Sequence, residues 1–183
     1  MARGGAGGPP LPRRSHRILR DGDLLKLDVT VEKDGYMADA AVTIGVGGVP
    51  PDRQALIDCA GRAFDRAMRV TRAGAPINAI GREVEAEALG SRFTVVRDLT
   101  GHGIGRTIHE EPAVPNYEDP RARRPLTEGM VLAVEPILSM GSGATIEGAD
   151  GWTVRTADGA PAAHYEQTII VTGDVPILLT AAA

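Results

Sequence analysis

A chain of 183 residues, 43% hydrophobic and 24% charged, is long enough to bury a core as one domain and has the composition of a globular protein. A net charge of −4, with only one Trp, three Tyr and two Phe, excludes a basic nucleic-acid footprint and a base-stacking platform. A single cysteine, Cys59, excludes an intramolecular disulfide and a thiolate metal cluster, so any metal must be held by oxygen and imidazole. No apolar run reaches the length of a membrane span, and the N-terminus lacks the apolar stretch of a signal peptide. The expectation is a cytoplasmic protein with neither membrane nor direct nucleic-acid contacts.

Residues 1–14, "MARGGAGGPPLPRR", lack apolar periodicity and read as a disordered Gly/Pro/Arg-rich tail ahead of one domain over 15–183. "RDGD" at Arg20–Asp23 reads as a turn into a strand. "LLKLDVTV" and "YMADAAVTIGV" are β-rich runs around "EKDG", in which Asp34-Gly35 is a strong hairpin signal. The next segment opens with Pro51, and Leu56, Ala60, Phe64, Ala67 and Met68 recur at helical spacing, with Gly74 suited to end the helix. A second helix is expected over Asn78–Leu89, with Ile80, Val84 and Leu89 inward and Gly90 as terminator. "FTVVRDLT" reads as a strand entering the glycine-rich "TGHGIGRTIHEEP". After it come a turn and strand in "RRPLTEGMVLAVEPIL", a strand and turn in "GWTVRTADG", and a final long strand in "AAHYEQTIIVT". Strands with two consecutive helices packed on them give an α+β class.

Four acids stand out before any family is considered. With the hairpin turn centred between Lys33 and Asp34, Asp28 falls directly opposite Asp39. Facing like charges are tolerable if they share a proton or a cation; a register off by one, or one Asp pointing to solvent, is the competing reading. Glu135 ends the apolar run "VLAVEP" before a proline, and Glu166 stands at the start of "EQTIIV". With a loop histidine these make a five-membered oxygen and nitrogen set, which suits a pair of divalent first-row metals sharing carboxylates and a bridging water.

The blocks "LKLDVTVEKDGYMADAAVTIGVG", "TGHGIGRTIHEEPAVPNY", "GMVLAVEPIL" and "GWTVRTADGAPAAHYEQTIIV" occur in order and together resemble the methionine aminopeptidases of the bacterial type I branch. The resemblance covers about Ser15 to Leu179. It implies the pita-bread (creatinase/aminopeptidase-like) fold and two divalent metal ions (Co, Mn, Fe or Zn) held by Asp28, Asp39, His102, Glu135 and Glu166. Asp39 and Glu166 would bridge the metals, and Glu135 would handle the proton of the attacking water. His109 would act as a catalytic and substrate-binding histidine, and Trp152 would wall the methionine pocket. The implied activity is hydrolysis of the N-terminal methionine from nascent peptides through a metal-bridging hydroxide. Those peptides are the expected partners, with the ribosome as a further one. The glycines of "GHGIG" would let backbone approach the site, and Glu110 and Glu111 would not be ligands.

The sequence departs from the family at its front. "GPPLPRR" stands where the family carries an "HG(I/V)P"-like histidine segment, and much of the N-terminal portion has no counterpart, so the fold is expected to be N-terminally incomplete. An open sheet edge, exposed apolar surface, a weakened methionine pocket and reduced activity are expected from this. His16 lies beyond that motif and does not replace its histidine. Ala40-Ala41 after Asp39 would remove a supporting hydroxyl, Ile108 replaces an aromatic before His109, and Gln167 stands where His is common. The alternatives are a non-catalytic or weakly active metal- or peptide-binding remnant, and another pita-bread peptidase such as a proline-specific dipeptidase.

Overall fold

The computed structural model describes residues 18–151 and 153–181. The tail expected over 1–14, His16 and Trp152 lie outside the described residues. Strands β1 (Leu24–Lys33) and β2 (Tyr36–Gly45) form the predicted hairpin. Its two-residue turn is Asp34-Gly35, with φ of 56° and 78°, the left-handed pair that a type I′ turn requires. Lys33 therefore pairs with Tyr36, and the register expected from the sequence is corrected: Asp28 faces Ala41 and Asp39 faces Thr30. The shift is by two positions, so both Asp side chains keep the same face and become diagonal neighbours.

Helix α1 (Pro51–Val70) begins at Pro51, whose missing N–H is no loss in a first turn. It ends before the predicted stop: Thr71 turns extended, and its hydroxyl donates to the Ala67 carbonyl at 2.8 Å. Helix α2 (Asn78–Gly90) follows, and Arg92, with φ of 64°, takes the left-handed position beyond it in place of Gly90. Leu56, Ala60, Phe64 and Ala67 of α1 and Ile80 and Val84 of α2 are buried, whereas Leu89 is 65% exposed and Ala88 takes the inward place.

The remaining strands are β3 (Thr94–Val95), β4 (Gly101–Gly103), β5 (Glu110–Val114), β6 (Val131–Val134), β7 (Ile137–Ser139), β8 (Thr145–Glu147), β9 (Val154–Thr156), β10 (Ala162–Ile170) and β11 (Ile177–Leu178). The expected strand over "FTVVRDLT" shrinks to β3, and the "VLAVEPIL" run breaks into β6 and β7 at Glu135-Pro136, where proline cannot extend the ladder. Glu166 sits in the middle of β10, not at its start. The main sheet runs β1-β2-β10-β6-β4-β5, and β8 with β9 forms a separate pair.

Alternation along β10 sorts the two faces of the sheet. Ala163 and Ile169, with Leu132 and Val134 of β6, join the core under the helices, where Tyr165 meets Phe64 at 5.2 Å between ring centres. Each large aliphatic side chain fully buried there contributes roughly 1.5–3 kcal/mol. His164, Glu166 and Thr168 point to the other face. On the helix side of the hairpin, Leu27, Val29, Val31, Val42 and Ile44 are exposed, and β1 is an outer strand. The open edge and apolar surface expected from the sequence are thus present among the described residues. No helix among these residues is long and apolar enough to cross a membrane.

Candidate metal centre

On the face away from the helices, ladder register sets the side chains in cross-strand rows. One row runs Thr30, Asp39, Thr168, Ala133, His102 across β1, β2, β10, β6 and β4. The adjacent row runs Asp28, Ala41, Glu166, and Glu135 follows one residue past β6, level with Glu166. A third carries Lys26, Thr43 and His164. All five sequence-predicted ligands are brought onto one patch, where the β1-β2 hairpin meets β10, β6 and β4 from distant parts of the chain.

The patch resolves into two groups of donors: Asp28, His164 and Glu166, and Asp39, His102 and Glu166, the ligand atoms of each lying within 4.8 Å of one another. Glu166 is common to both, while Asp39 belongs to one. Glu135 reaches His102 Nε2 at 3.7 Å through Oε1 and His164 Nε2 at 3.5 Å through Oε2. Asp39, His102, His164 and Glu166 are buried, Glu135 is half-buried, and Asp28 lies exposed at the open end. Ala41 stands between Asp28 and Glu166 in its row, so a longer side chain there would crowd both acids. Ala41→Leu is therefore expected to abolish metal uptake although it removes no donor, a result that calorimetric titration of the folded variant can check.

Hydrogen bonds hold the donors in place. Asp39 N–H donates to Thr168 Oγ1 at 2.8 Å, and that hydroxyl donates back to the Asp39 carbonyl at 2.8 Å. Thr30 Oγ1 and the Ala40 N–H each donate to Asp39 Oδ1 at 3.1 Å, so Asp39 keeps supporting donors despite the Ala-Ala that follows it. His102 Nδ1 lies 2.9 Å from the Gly103 carbonyl. A carbonyl only accepts, so Nδ1 carries the proton and Nε2 keeps its lone pair for a cation. Asn116, buried, donates to the Glu135 carbonyl at 2.9 Å and to that of Leu99 at 3.3 Å, fixing the strand break.

The electrostatics are those of an acid cluster short of positive charge. Burial pushes the Glu166 carboxyl up to about 9, and the charges of Glu135, Asp39 and Asp28 add to the rise. Asp28 is also held above the usual carboxylate range, first by loss of water, with Asp39 raising it and His164 opposing. His164 Nε2 is buried with no hydrogen-bond partner. An orphaned buried nitrogen among clustered carboxylates fits a divalent cation, and the oxygen and imidazole donor set suits a first-row metal.

His109 stands exposed at the rim, its ring edge-on to His102 at 4.5 Å between centres. Glu110 does not face the cluster. Its Oε1 accepts the N–H groups of Arg106 and Thr107 at 2.6 and 2.8 Å, which hold the carboxyl below its usual range and close the loop bearing His109. Arg106 ties that loop to the hairpin tip, stacking on Tyr36 at 3.7 Å and donating to its hydroxyl at 2.8 Å. The glycines serve strand packing: a Cβ on Gly101 would meet the Ala133 carbonyl oxygen at 2.5 Å, and one on Gly103 would strike that of Glu111. Their close neighbours are thus backbone of β6 and of the β5 strand. His164, Asn116, Thr30 and Thr168 were not singled out from sequence. For His164 the signal was present, since two residues before Glu166 in a strand means the same face.

Residues 4–173 match the model of metallopeptidase family M24. The chain belongs to metallopeptidase family M24. It is 43% identical over 169 residues to a methionine aminopeptidase of Treponema pallidum, covering 91% of this chain and 66% of that relative. The solved methionine aminopeptidase of Thermotoga maritima superposes with a TM-score of 0.87 at 33% identity, over 91% of this chain and 67% of that one. A prolidase of Pyrococcus furiosus, at 22% identity and a TM-score of 0.74 over 94% of this chain and 46% of that one, shares the fold alone. The fold is therefore the pita-bread fold of the M24 metallopeptidases, and the chain spans about two thirds of the length of the relatives it matches.

Proposed function

We propose that this chain is a metalloaminopeptidase that removes the N-terminal methionine from nascent polypeptides, with Asp28, Asp39, His102, Glu135 and Glu166 holding two divalent cations. The observation that carries the reading is the pair of donor groups sharing Glu166. Two bound cations would supply hydroxide near neutral pH and polarise the scissile carbonyl. Glu135, half-buried beside both imidazoles, is placed to take and return the proton of the attacking water. His109, at the rim and against His102, is placed to donate to the oxyanion. The exposed Asp28 end is the side from which a free α-amino group can enter, which restricts cutting to a chain end.

A cavity of about 430 Å³ is lined among others by Leu24, Lys26, Ile137, Val154 and Ala162. Lys26, Ala162 and Ile137 each lie two residues along the chain from a cluster residue, and the cavity is proposed to receive the substrate's first side chain. Trp152 is proposed, on the family resemblance alone, as a substrate-binding residue. The domain is proposed to span 15–183, acting in the cytoplasm on chains leaving the ribosome. Identity to the methionine aminopeptidases favours this over a proline-specific activity, for which only shared fold speaks.

Incubated with cobalt or manganese, the purified chain is expected to release methionine from a Met-Ala-led peptide, and faster than leucine from the Leu-Ala counterpart. No release from a folded, metal-loaded sample would refute the reading.

A further inference from the structure

The five ligands implied by family resemblance leave out the residue whose geometry is hardest to explain without a cation. His164 lies on β10 two residues before Glu166 and on the same face, with its side chain 8% exposed. Its backbone is locked, because its N–H donates to Thr43 Oγ1 at 2.8 Å and that hydroxyl donates to its carbonyl at 2.9 Å. Nε2 is aimed at Glu135 Oε2 at 3.5 Å and Glu166 Oε2 at 3.6 Å, and makes no hydrogen bond to either. With Asp28 and Glu166 it forms one of the two donor groups, so the two groups are built alike: one Asp, one His and the shared Glu. A buried imidazole nitrogen without a partner has lost its water with nothing in return unless something binds it.

We propose that His164 is a sixth metal-ligating side chain, its Nε2 binding the cation held at the Asp28 end. The inference rests on the cluster being a metal centre, as set out above. Its consequence is that both cation positions have imidazole, so both favour a borderline first-row ion over magnesium or calcium. The exposed Asp28 position, which would otherwise rely on carboxylates alone, gains affinity and rigidity.

Metal-depleted chain, His164→Gln, His164→Ala and Asp39→Ala are each titrated with cobalt(II), followed by calorimetry and by cobalt X-ray absorption, with circular dichroism confirming the fold. His164→Gln is expected to weaken one cobalt by about 10- to 100-fold, leave the other unchanged and lower the imidazole scattering by about half. Added imidazole is expected to restore the parent spectrum in His164→Ala, a rescue that a purely structural histidine would not give. Parent-like affinity and scattering in His164→Gln, with binding lost in Asp39→Ala, would overturn the sixth ligand and leave the metallopeptidase reading intact. Failure of the folded parent chain to bind cobalt would overturn both.

Discussion

Glu166→Gln is expected to lower methionine release by at least about 1,000-fold and to lose metal uptake, while leaving a folded protein. Glu166 is the one side chain common to both donor groups, so its loss affects two cation positions at once. Gln offers a neutral oxygen in nearly the same volume, so packing against Ala41 and Thr168 is kept. Loss of Asp28, exposed and a member of one group only, would do less damage to metal uptake. A loss no larger than that of Asp28→Asn would deny Glu166 its shared role.

The second large effect is on stability, and its sign is unusual for a carboxylate. The Glu166 carboxyl, raised to about 9 in the folded protein, ionises near 4.5 once unfolded. Between those values the folded state binds the extra proton, so unfolding releases it and rising pH favours unfolding. Stability from this group is fully present below about 4.5 and is lost progressively up to about 9. The slope is at most about 1.4 kcal/mol per pH unit. Metal-depleted protein is therefore expected to melt at falling temperature from pH 5 to 9. Glu166→Gln, a mimic of the protonated acid, should flatten that dependence, and manganese should oppose it in the parent chain alone. Thermal melts across this range decide the matter, and a parent whose melting temperature rises with pH would contradict it.

Much of this was legible in the chain because the signals are local. Asp34-Gly35 names its own hairpin, the 3.6-residue spacing from Leu56 to Ala67 names α1, and the alternation in "AAHYEQTII" names β10. Errors came where a local signal has two readings. The hairpin centre was misplaced by one residue, moving Asp28 from Ala41 to Asp39, yet the even shift in pairing kept both acids on one face. Leu89 looked inward by type, but α2 turns it out and brings in Ala88. What the sequence could not convey was the order β2-β10-β6-β4, in which β2 pairs with β10 across more than a hundred positions of chain. That order, rather than any motif, brings Glu166 between Asp28 and Glu135 and sets His164 against them.

The buried acid cluster is proposed to hold divalent cations. The most direct test of this is calorimetric titration of metal-depleted chain with manganese at pH 7, in two buffers of different ionisation heat. Saturable uptake is expected, with release of about one proton as Glu166 is forced to ionise, and both should vanish in Glu166→Gln. Uptake no greater than that of the variant, or uptake without proton release, would contradict the account.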